Sequence, residues 1–114
     1  MANLGRWLRR RLIALHRWLQ PLTAFETDDL PDRLRPDRVY LVGDEGIWWS
    51  AAMVCPCGCR AKIQLSLIEK DRPRWRALVE PTGVITLHPS VWRTKGCKSH
   101  FSVIHGRIVW ARET

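Results

Sequence analysis

Long apolar runs are missing from this chain. Nothing in its 114 residues approaches the roughly 20 consecutive apolar positions that a membrane-spanning helix requires. An export signal is missing too. The N-terminal "MANLGRWLRRRLIALHRWLQ" is basic, but Arg or His interrupts its apolar residues every few positions, and no small-residue cleavage site follows. Disulfides need an oxidising compartment, so the four cysteines are expected as reduced thiols of a cytoplasmic, bacterial-type protein. No repeat of fixed period and no low-complexity tract occurs, which excludes solenoids and arrays. Acidic residues are absent from residues 1–25, where Arg6, Arg9, Arg10, Arg11 and Arg17 contribute +5 of the net +8. The basic character is therefore partly local, and a nucleic-acid function based on global charge is weakened.

What is there fits one small domain. A chain of this size has a net stability of about 5–15 kcal/mol, so one strong extra constraint, such as a metal, decides whether it folds. Residues 4–20 have helical periodicity. Leu4, Trp7, Leu8, Leu12, Leu15, Trp18 and Leu19 share one side; Arg6, Arg9, Arg10 and Arg17 take the other, with Arg11 inside the apolar arc and Pro21 as a stop. Residues 1–25 are thus read as a basic amphipathic helix that docks on a protein partner, and 26–38, "ETDDLPDRLRPDR", as an extended connector.

From residue 39 to 114 the periodicity is that of strands. "VYLV", "IWWSAAMV", "KIQLSL", "RWRALVE", "VITLH", "FSVIH" and "RIVWA" are short, rich in β-branched and aromatic residues, and separated by turn formers. Hairpin turns are expected at "GDEG", at "PTG" and at "HG", where Gly106 supplies a positive φ. The fold class is mainly β: a small antiparallel domain stapled by zinc, with the helix in front.

The staple is read from "CPCGC", Cys55 to Cys59, and "GCKSHF", which holds Cys97 and His100. Zinc is commonly held by two tight turns that each give two ligands at about 2.3 Å per sulfur. Cys97 and His100 form a C-x2-H pair of the usual kind, whereas the first turn offers only C-x-C and C-x3-C spacings. Five candidates, Cys55, Cys57, Cys59, Cys97 and His100, compete for about four positions, so the set is either three thiolates with the imidazole or four thiolates. A thiol left over beside a cation would have nucleophilic character, which keeps a cysteine-dependent transfer enzyme as an alternative. His88, His105 and His16 are read as structural or solvated.

Most of the seven tryptophans are expected in half-buried packing, with Trp48 and Trp49 on opposite faces of one strand. "RPRWR" at 72–76 and "WRTKGCKSH" at 92–100 interleave cations with aromatics, which keeps a nucleic-acid-binding zinc module as a second alternative. Trp92, Arg93 and Lys95, together with Trp7, Arg10 and Trp18 of the helix, are the candidate partner contacts, since interfaces favour Trp and Arg.

Over about residues 38–110 the combination of CPCGC, "LHPSVWRT" and "GCKSHF" resembles the bacterial domain-of-unknown-function family six-five-two-seven. Members are encoded beside bacterial ubiquitin-like proteins and their activating, conjugating and isopeptidase-like enzymes. The resemblance implies a zinc-binding accessory or adapter of such a pathway, ligase-like without covalent catalysis, that docks a ubiquitin-like protein or a conjugating enzyme. It carries the metal positions over to the same five residues and brings no catalytic ones. Arg60 stands where similar proteins often have a second glycine.

Overall fold

In the computed structural model, residue 5 and residues 7–12 and 20–111 are described. Eight strands follow one another among them: β1 Thr23–Thr27, β2 Arg38–Asp44, β3 Ile47–Val54, β4 Lys62–Ser66, β5 Arg76–Val79, β6 Ile85–Trp92, β7 His100–Ile104 and β8 Arg107–Trp110. They form two four-stranded sheets, ordered β1-β2-β3-β4 and β5-β6-β7-β8. Each sheet is a chain of sequential neighbours, which the short turn-rich connections favour.

Alternation of side chains explains how the sheets meet. On β2, Val39 and Leu41 point to one face and join Ala51, Met53, Ile63 and Leu65 of β3 and β4. Ile85, Leu87, Val91, Phe101, Val103 and Ile108 supply the matching face of the second sheet, and together they form the main core. Burying a Met53 or a Phe101 fully is worth about 1.5–3 kcal/mol each. The opposite face of β2 is covered as well: Tyr40 and Ala52 pack with Leu34 in a second, smaller cluster. Arg35 donates its backbone N–H to the Tyr40 hydroxyl at 2.9 Å, so residues 30–36 lie as a flap over the outer face of the first sheet.

The chain before residue 39 is thus more integrated than the sequence pattern indicates. Leu22 is buried in the main core, and β1 pairs with β2 in parallel, Thr23 opposite Arg38 through Thr27 opposite Val42. The expected boundary at 25/26 falls inside a strand, and this pair is the one parallel pair among the described strands of otherwise antiparallel sheets. The cause is a tie between sheets: Leu22 N donates to Gly106 O and Ala24 N to Gly83 O, both at 2.8 Å. Gly106 has φ +75°, and a Cβ there would meet the Leu22 backbone at 2.7 Å, so the close approach requires glycine.

The hairpin expectations hold: Glu45 and Gly46 both have positive φ between β2 and β3, as do His105 and Gly106 between β7 and β8, and Gly83 lies between β5 and β6. Residues 7–12 are helical. Trp7, Leu8 and Leu12 are exposed there, while the Arg10 guanidinium lies 4.6 Å from the Trp110 ring centroid. The remainder of the expected amphipathic helix, including Trp18, lies outside the described residues.

Candidate functional site

The turn between β3 and β4 carries "CPCGC", and the turn between β6 and β7 carries Cys97. Each turn belongs to a different sheet, so their approach joins the two layers. Cys55 N donates to Ala61 O at 2.8 Å, closing the first turn, and Gly58 and Arg60 both take positive φ, +94° and +65°. Arg60 thus occupies a left-handed position that glycine would adopt without strain. In the second turn Gly96 and Lys98 do the same, at +71° and +54°.

These conformations bring the sulfurs of Cys55, Cys57, Cys59 and Cys97 within 4.8 Å of one another. Cys55 Sγ lies 3.4 Å from Cys57 Sγ and 3.6 Å from Cys97 Sγ. Four sulfurs at about 2.3 Å from a tetrahedral zinc would sit about 3.8 Å apart, so the donor set and its spacing fit such an ion. Arg93 donates from Nη1 to Cys97 Sγ at 3.1 Å and reaches Cys59 Sγ at 3.5 Å. That is the N–H···S bonding by which outer residues stabilise a thiolate cluster. Ser99, with no solvent exposure, places its Oγ 3.1 Å from Cys97 Sγ and 3.8 Å from Cys55 Sγ.

The thiols are electrostatically unequal. Burial pushes the Cys55 thiol up to about 12. Burial also acts upward on Cys97, but hydrogen bonds from the Ser99 side chain and backbone and from the neighbouring thiols outweigh it and hold that group at about 6. Cys57 is lowered too, its burial being outweighed by bonding to Ser99 and to Cys59. Cys97 is therefore the thiol most disposed to thiolate, the form that binds metal, and Cys57 is shifted in the same direction.

His100, the fifth candidate, stands on β7 and turns elsewhere. Its Nε2 lies 2.9 Å from Ser90 Oγ. Its ring stacks on Trp92, the residue opposite it across the β6·β7 pair, at 5.1 Å and 13° between planes. Ser90 reaches this position through an irregularity in β6. Leu87 pairs with Val103 and Val91 with Phe101, so His88, Pro89 and Ser90 together span the one residue Ser102. Such bulges re-aim side chains beside functional sites. Trp75 Nε1 donates to Ser90 O at 3.2 Å and steadies the bulge from β5's approach, and Ala111 N donates to His100 O at 2.9 Å. Ser99, tied to the thiols, directly precedes His100, and its carbonyl accepts from Arg93 N at 2.8 Å. The thiol cluster and the Ser90–His100 pair thus share one short piece of backbone.

Of the expected partner contacts, Trp92 is 65% exposed and Lys95 is exposed, while Arg93 is turned to the thiols and Arg10 to Trp110. Trp7 is exposed. Ser90 and Ser99 carried no sequence signal. "LHPS" and "CKSH" are unremarkable as strings, and only the β6·β7 register makes a serine ten positions upstream a neighbour of His100. No helix among the described residues is long and apolar enough to cross a membrane.

The family model described as "bacterial ubiquitination-like system serine protease (BubE)" matches residues 26–111, and the chain belongs to that family. Compared with curated proteins and with solved structures, the chain has no match.

Proposed function

We propose that this chain is a serine peptidase of a bacterial ubiquitin-like system, with Ser90 as nucleophile, His100 as general base and a structural zinc held by Cys55, Cys57, Cys59 and Cys97. The observation that carries it is the 2.9 Å approach of Ser90 Oγ to His100 Nε2. That is hydrogen-bond reach for proton abstraction, and serine–base pairs are recognised by geometry and not by chain order. The family's description supports it.

In this reading Ser90 Oγ attacks the carbonyl carbon of the scissile peptide bond as its proton passes to His100 Nε2. The same proton then goes to the departing amine as the C–N bond breaks, leaving an ester on Ser90. Water, deprotonated by His100, attacks that ester and releases the acid, and the proton returns to Ser90. Trp92, stacked on the imidazole, fixes the ring plane in which Nε2 faces Ser90. A zinc held by the four cysteines would supply structure and not chemistry, since four thiolates would fill a tetrahedral site. Cys97 and Ser99, joined by their side chains, hold the backbone from which His100 projects. The ubiquitin-like protein is then the substrate, met in a cytoplasm that keeps the thiols reduced.

A tagged fluorophosphonate tests the assignment. Wild type should label at Ser90, identified by mass spectrometry. Ser90→Ala should abolish labelling and His100→Gln should slow it about 10³-fold or more, both at unchanged melting temperature. Labelling that persists in Ser90→Ala, or its absence from folded, zinc-loaded wild type, would refute it. The second outcome would return the chain to a docking adapter without covalent chemistry. Iodoacetamide reaction confined to Cys59, together with loss of a transfer activity in Cys59→Ser, would instead favour a cysteine enzyme.

A further inference from the structure

Immediately before Ser90, His88 and Pro89 form one wall of a cavity of about 380 Å³ whose other walls are Arg72, Arg74 and Arg76. The three arginines come together around the bend at Arg72–Pro73 that leads into β5, while the intervening Trp75 packs against the core and holds Ser90 O through its Nε1. Arg76 lies directly opposite His88 across the β5·β6 pair. The cavity is thus built onto the bulge that presents the nucleophile.

Its charge is not compensated from within. Arg72 Nη1 donates to the backbone carbonyls of Glu69 and Asp71, at 2.7 and 2.6 Å, which are neutral acceptors. The nearby Asp71 carboxylate accepts from the Ser66 hydroxyl at 2.5 Å and does not line the cavity. Arg74 Nε is buried with no hydrogen-bond partner. Among the described residues neither Arg74 nor Arg76 is paired with a carboxylate. A buried guanidinium N–H without an acceptor is costly, and its planar fork matches a carboxylate.

We infer that this arginine-lined cavity receives a carboxylate carried by the peptide substrate close to the scissile bond. The inference rests on Ser90 being the nucleophile. It makes the enzyme selective for acidic ends or acidic residues beside the cleaved bond. The carboxylate is that of a chain terminus or of an Asp or Glu side chain, and the same arginines serve either.

The test uses the full zinc-loaded chain and pools of short peptides made with free or amidated C-termini, each with or without Asp and Glu, with cleavage read by mass spectrometry. Wild type should cleave acid-bearing pools about tenfold or more faster than the neutral pool. Preference for the free terminus identifies an α-carboxylate; preference for Asp and Glu irrespective of the terminus identifies a side chain. In Arg74→Gln and Arg76→Gln the preference should collapse while fluorophosphonate labelling of Ser90 stays at the wild-type rate. Arg76 is exposed, so its variant is expected to fold even where Arg74→Gln does not. Normal labelling without any preference in wild type, cleavage of no pool included, or a preference that survives both substitutions, overturns the cavity assignment. Loss of labelling in wild type overturns the peptidase itself, and the cavity assignment with it.

Discussion

Removing the zinc proposed for the cluster tests the link between the two sheets most directly. Cys55 and Cys97 stand 42 positions apart, one on each sheet's turn. Treated as a cross-link, a loop of that length removes about 4 kcal/mol of chain entropy from the unfolded state. For a domain of this size 1 kcal/mol moves the melting temperature by about 4–8 °C, so metal removal should lower it by about 15–30 °C or more. The upper limit is set by zinc affinity itself. Apparent values of about 10–16 kcal/mol match or exceed a net stability of about 5–15 kcal/mol, so the metal-free chain is expected to be largely unfolded when warmed. The assay is a thermal melt by circular dichroism before and after dialysis against a strong chelator, with metal content followed by mass spectrometry. Re-addition of zinc should restore the transition. Cys57→Ser and Cys97→Ser should each lower metal content and stability, whereas His100→Gln should leave one zinc per chain in place. A metal-free wild type that melts unchanged, or a His100→Gln protein that loses its zinc, would refute the four-thiolate assignment.

Further outcomes are expected from single positions. Arg60→Gly, relieving a left-handed residue at φ +65°, should stabilise the protein by about 1 kcal/mol, measured by denaturant titration. Gly106→Ala should destabilise by more than about 1 kcal/mol, because φ is positive and the Leu22 backbone fills the space; no loss would mean that the tie at Leu22 is slack. Trp92→Ala, at a largely exposed position, should lower the rate of Ser90 labelling with little change in melting temperature, while Trp92→Phe restores much of it. Deleting residues 1–20 should leave a folded domain. Deleting residues 1–27 also removes Leu22 and β1 and should not, as judged by hydrogen exchange of β2.

How much was legible in the sequence depends on the range of the interaction concerned. Period-two alternation is local, so the strands of residues 39–111 could be read from it, except that β6 runs past the expected end at His88 to Trp92, and so could the hairpins, where Glu45-Gly46 and His105-Gly106 take the left-handed conformations their turns demand. Cysteine is chemically distinctive, so "CPCGC" and Cys97 could be matched as two halves of one cluster without knowing the path between them. Pairing is a different matter. A period-two pattern says which residues share a face but not which strand lies alongside, and "TAFET" gave no sign of the parallel partner that makes it β1.

The fate of His100 turned on the same point. Its C-x2-H spacing to Cys97 is what a ligand pair would show, yet the strand begins at His100 itself, and alternation turns consecutive side chains apart. Ser99 therefore points to the thiols and His100 to the other face, where Trp92 and the bulged Ser90 await it. Composition and spacing, which act along the chain, determined a small mainly β domain with a thiol cluster. The Ser90–His100 pair and the arginine cavity beside it were decided by strand register and by one bulge, because those set contacts between residues that no local pattern connects.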